Sequence, residues 1–137
     1  MYTIEKLTQV SDCDAILAWV KNEKENLELK KLNEVKLTKN YLSTSLSIDT
    51  ELQSVNSQIA TLNALIPTLP IGSIKEENLK KLKKLEYKKF LLEDRKINYG
   101  AVALLQKELD VERLTKELEE INAFILLVTQ KRTSLSQ

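Results

Sequence analysis

Two groups of residues in this chain have the type and spacing to do chemistry. The first is basic. Lys80, Lys84 and Lys88 repeat every four residues inside a longer segment that also holds Lys81, Lys83, Lys89, Arg95 and Lys96. Residues four apart share one face of an α-helix, so the row presents three ammonium groups on one side, a pattern suited to successive phosphates. Glu76, Glu77, Glu86, Glu93 and Asp94 are interleaved with it. No aromatic residue is in line for base stacking. The segment therefore reads first as a solvated helix face, and only second as a phosphate-contacting surface built on Lys80, Lys84 and Lys88.

The second group is acidic: Glu117, Glu119 and Glu120. Paired carboxylates hold di-iron centres in helical bundles, but there they come with Glu-x-x-His motifs, and this chain has no histidine. The commonest general base and the commonest zinc ligand are both missing. Cys13 is the single cysteine, and its neighbours Asp12 and Asp14 disfavour a thiolate. The sequence carries no glycine-rich phosphate loop, nucleophile elbow or helix-turn-helix signature. The reading is a protein that is not an enzyme, with no cofactor and no metal.

The charge balance, 21 Lys and Arg against 20 Asp and Glu, gives no general attraction to nucleic acid or to a membrane. A lone cysteine fits a reducing compartment. The N-terminus lacks a basic stretch followed by an apolar one, so no signal peptide is expected. The longest apolar run, residues 123–128, is far shorter than a membrane span. The expected location is the cytoplasm.

These groups must be positioned by helices. Leu, Lys and Glu abound, while there are only two glycines and two prolines, the composition of long helices or coiled coil. Pro67, Pro70 and Gly72 gather near the middle of the chain. The prediction is an all-α, single-domain chain (1–137) folded as a long antiparallel helical hairpin. A short N-terminal turn occupies 1–10, a first helix 11–66, a loop 67–73 and a second helix 74–134. Ser11 with Asp14, and Ser73 with Glu76, have capping-box spacing at the two helix starts. Ser47 and Asp49 can also act as caps, which allows a break near 43–50. Residues 43–63 carry only Asp49 and Glu51 as charges, which reads first as a moderately exposed polar face and only second as a surface covered in an assembly.

Apolar residues mark the seams. Tyr41, Ser45, Ile48, Leu52, Val55, Ile59, Leu62 and Ile66 follow a heptad. Cys13, Ile16, Val20, Leu27 and Leu37 lead up to it, with Glu23, Lys30 and Glu34 interrupting and a stutter at Tyr41. In the second arm Val111, Leu114, Leu118, Ile121, Ile125, Val128 and Leu135 form a strong seam broken only by Arg132. Phe90, Ile97 and Leu104 fall in phase with it, whereas Leu79, Leu82, Leu85 and Leu92 make a different stripe. Gly100 costs about 1 kcal/mol in a helix interior and marks a kink or a close approach. A reversal centred on residue 70 pairs residues whose numbers sum to about 140. That register sets Gly100 opposite Asn40 or Tyr41 and packs Trp19 near Phe124.

Apolar residues outside the seams, among them Leu29, Leu32, Leu42, Leu46, Leu91, Leu126 and Leu127, make a face wider than two helices can cover. Val102, Leu105 and Leu109 form a stripe that the late seam does not use. They are the expected contact of a homo-oligomer, a dimer assembled as a four-helix bundle. The functional reading is a structural or protein-interaction helical module that self-associates. The alternative is a small nucleic-acid-binding helical protein using the basic face around residues 80–96.

Overall fold

A computed structural model describes all 137 residues. The chain is an all-α helical hairpin. A 3-10 turn at Ile4–Lys6 precedes α1 (Val10–Leu65), a second 3-10 turn covers Ile66–Thr68, and α2 (Ser73–Tyr99) and α3 (Ala101–Leu135) make the returning arm. No helix is long and apolar enough to cross a membrane.

The reversal follows from its breakers. Pro67 has no N–H to give to a helix and sits in the 3-10 turn, where the Leu69 amide donates to the Ile66 carbonyl (3.1 Å). Gly72 takes φ +156°, a conformation L side chains rarely adopt, and its carbonyl accepts the Glu76 amide at 3.1 Å. Gly72 is thus the residue before the first turn of α2, and no side chain caps it. The capping box read at Ser73 is corrected: Ser73 is already helical. The same holds for Ser11. The Gln9 carbonyl accepts the Asp12 amide (3.1 Å), and Ser11 lies inside the first turn with its hydroxyl on Gln9 Oε1 (3.3 Å). At both starts the serine lies within the helix and does not cap it.

The break considered near 43–50 is absent; α1 is continuous. Ile48 is 1% exposed, and burying such a side chain, worth about 1.5–3 kcal/mol, outweighs the weak local preference of Ser47 and Asp49 to cap. The stutter at Tyr41 is absent too. Cys13, Leu17, Val20, Lys24, Leu27, Lys31, Glu34, Thr38, Tyr41, Ser45 and Ile48 are all buried or half-buried, as are Leu52, Val55, Ile59, Leu62 and Ile66. The spacing alternates four and three throughout. Leu37 is exposed and Thr38 takes its place, so the heptad runs unbroken through polar residues.

The chain divides into two compact units, Met1–Leu37 with Lys107–Gln137, and Thr38–Gln106. In the first, Cys13, Leu17, Val20 and Val128 form a core flanked by Ile4, Leu7, Ile121 and Ile125. In the second, Ile48, Leu52, Val55 and Leu92 form the core, with Ile59, Leu85 and Tyr99 against it.

The single second helix expected over 74–134 is two helices, because its seam changes phase. In α2 the inward positions are Leu82, Leu85, Lys89, Leu92 and Tyr99; in α3 they are Leu104, Lys107, Val111, Leu114 and Leu118. From Tyr99 to Leu104 is five residues, one more than a heptad step permits. Gly100, in an extended conformation (φ −81°, ψ −171°), takes the odd residue out of the helix. Phe90 and Ile97, read as in phase with the late seam, consequently point outward, at 63% and 76% exposure.

Candidate functional site

The hairpin's register is fixed by side chains reaching between its arms. In the second unit the Tyr41 and Tyr99 rings meet with centroids 5.0 Å apart, and Lys96 Nζ lies 3.1 Å from Asp49 Oδ1. In the first unit Arg132 Nε donates to Asp14 Oδ1 at 2.5 Å, and Lys107 Nζ lies 3.8 Å from Glu34 Oε2. The pairs sum close to the expected register of about 140. Tyr41 faces Tyr99, one residue short of the glycine expected opposite it. Glu34, read as an interruption, is a seam residue that pairs with Lys107 of the other arm; such polar seam positions set alignment more than they add stability.

Val102, Leu105 and Leu109 lie outside the seam of α3, at 72%, 62% and 51% exposure. In the second unit, Val102 and Leu105 share the outward side of the arm with Tyr87, Phe90 and Ile97, all more than 60% exposed. The sequence reading missed these last three. The signal that finds them is the phase change at Gly100, which places Phe90 and Ile97 opposite the seam instead of in it.

Lys80, Lys84 and Lys88 are exposed, and no carboxylate stands within 4.0 Å of any of them. The rest of the basic segment is engaged. Lys89 pairs with Glu93 (4.0 Å), Lys96 with Asp49, and Arg95 stands over the Tyr99 ring at 5.8 Å. Lys84 joins Lys81 and Leu85 in lining a groove against Ser57, Thr61 and Leu62 of α1.

No family model, curated protein or solved structure matches the chain.

The first unit holds a second groove. Tyr2, Trp19, Glu23, Glu117, Glu120 and Phe124 line it, together with Val20, Leu27 and Ile121. Tyr2 packs edge-on against Phe124 (centroids 5.0 Å, 65°) and donates its phenol to Glu120 Oε1 at 2.5 Å. That hydrogen bond, a little desolvation and the nearby charge of Glu120 raise the Tyr2 pKa above the usual 10.0. Trp19 was expected to pack near Phe124. It shares this groove with Phe124, but Tyr2 takes the Phe124 ring and Trp19 stays 58% exposed.

The acidic trio is spread among tasks. Glu120 accepts from Tyr2, Glu119 pairs with Lys116 (3.4 Å), and Glu117 lines the groove. No group of three or more Cys, Asp or Glu residues is arranged to hold a metal ion. Cys13 is 0% exposed, closed in by Leu17, Val20 and Val128. The surfaces that stand out are an outward set of apolar residues, an exposed lysine row and an acid-rimmed aromatic groove.

Proposed function

We propose that the chain is a non-enzymatic structural or protein-interaction module of the cytoplasm that self-associates, a dimer forming a four-helix bundle. The observation that carries this reading is the outward apolar side of the second unit. Single exposed apolar residues are ordinary. Five exposed apolar side chains on one outward side, Tyr87, Phe90, Ile97, Val102 and Leu105, are more than a scatter of single residues, and exposed apolar surface of this kind marks contacts with other proteins. A second copy always carries the same patch, and identical chains most often close by two-fold symmetry. The enclosed lone thiol of Cys13 suits a reducing compartment.

The test is Leu105→Glu with Leu109→Glu. Light scattering should give the mass of one chain for the double variant and a multiple of it for wild type, with helical circular dichroism retained. An unchanged mass in the variant rejects the apolar face as the contact. A salt-dependent mobility shift with RNA or DNA, lost on changing Lys80, Lys84 and Lys88 to Gln, would favour the nucleic-acid reading instead.

A further inference from the structure

The aromatic groove of the first unit and the lysine row of the second have complementary chemistry. Elsewhere the arms of the hairpin meet through opposite charges: Asp14 with Arg132, Glu34 with Lys107, Asp49 with Lys96. At this groove acid lies with acid. Glu23 comes from α1, Glu117 and Glu120 from α3, and no lysine or arginine lines the groove. Glu23 and Glu117 have no basic group within 4.0 Å. The floor beside these carboxylates is aromatic, and Trp19 leaves much of its ring uncovered. An ammonium group is stabilised over an indole face, more so with carboxylates at hand.

The chain itself carries the matching cations. Lys80, Lys84 and Lys88 are exposed and lack carboxylate partners. Four residues of helix advance about 6 Å, so the row extends over about 12 Å, against about 10 Å from Glu117 to Phe124 along α3. The charge is divided the same way on a larger scale. The first unit has eleven Lys and Arg against thirteen Asp and Glu, the second ten against seven.

We infer that the groove lined by Trp19, Glu23, Glu117 and Glu120 is the docking site for Lys80, Lys84 and Lys88 of a second copy of the chain. This rests on the self-association reading and names a contact for it. Reciprocated between two copies, the contact closes a dimer with two equal junctions. Trp19 is the chain's only tryptophan, so its fluorescence reports occupancy of the groove directly.

The experiment uses two full-length variants. One carries Lys80→Glu, Lys84→Glu and Lys88→Glu, and the other Glu23→Lys and Glu117→Lys. In either variant alone, like charges meet at both junctions. In a mixed pair every junction is opposite in sign again. Wild type should show a concentration-dependent Trp19 emission change that weakens as salt screens the contact. Each variant alone should associate about tenfold or more weakly, and an equimolar mixture should regain association close to wild type. That recovery also shows that both variants are folded. Either variant associating as wild type does, or a mixture no stronger than its components, overturns the inference. If Leu105→Glu with Leu109→Glu dissociates the protein while the charge variants stay associated, the apolar-face reading stands and this one falls. A wild-type chain that stays monomeric removes both.

Discussion

Tyr41 of α1 and Tyr99 of α2 face each other with ring centroids 5.0 Å apart and planes tilted by 44°. Tyr99 is the last helical residue before Gly100, so this pair stands at the point where the second arm changes phase. An aromatic pair in this geometry contributes about 0.5–1.5 kcal/mol beyond its buried area. Denaturant unfolding of Tyr41→Leu, Tyr99→Leu and the double variant should give a coupling energy in that range. Strict additivity of the two single changes would show that the ring contact contributes nothing of its own.

Gly100→Ala should destabilise the protein. A Cβ there would lie 2.5 Å from the Lys96 carbonyl oxygen and 3.4 Å from Lys96 Cγ. The backbone must shift, and the natural alternative, a continuous helix, throws the two seams one residue out of phase. A cost of about 1–3 kcal/mol, typical of overpacking, should appear as a lower melting temperature. A gain in stability, as expected for a glycine in an ordinary helix interior, would contradict the phase-reset account.

Glu34 and Lys107 are the most enclosed of the interhelical ion pairs, with side-chain exposures of 21% and 27%. Removing one partner leaves a partly buried charge; replacing both with leucine extends the apolar seam. Lys107→Leu alone should therefore destabilise, and Glu34→Leu with Lys107→Leu should recover that loss or exceed wild type. Thermal melts of the three variants decide it. A double variant less stable than either single one would assign the pair a stabilising role.

The Tyr2 phenol should titrate above the usual phenol value. Hydrogen bonding to Glu120 raises the Tyr2 pKa. The folded state then holds that proton more tightly than the unfolded chain. The contribution to stability is complete below pH 10 and is lost as pH rises through the higher folded value. Ultraviolet titration should resolve one late-titrating phenol, absent in Tyr2→Phe and returned toward the normal range by Glu120→Gln. A late phenol that persists in Tyr2→Phe would belong to another tyrosine.

Much of the fold was legible because long helices write their packing into spacing. The seam from Tyr41 to Ile66 and the one from Val111 to Leu135 are inward residue for residue, and the breakers at Pro67, Pro70 and Gly72 mark the reversal. The errors in the seams have one physical origin: an apolar residue was taken as the sign of an inward position. Lys24, Lys31, Glu34 and Thr38 are inward although polar, because an unbroken heptad keeps them there. Phe90 and Ile97 are outward although apolar, because Gly100 shifts the phase by one residue. Val102, Leu105 and Leu109 were read as outside the seam, and they are exposed. The register put Trp19 near Phe124, but the groove that Tyr2 completes there was not legible. It joins Tyr2 to residues more than a hundred positions away, and no helical period records that approach.

Sedimentation equilibrium of the wild-type chain across a wide concentration range tests the proposed self-association most directly. The account predicts a mass that rises to twice 15.7 kDa as concentration increases. A mass that stays at 15.7 kDa at the highest concentration would contradict it, and the outward residues of α2 and α3 would then need a different partner.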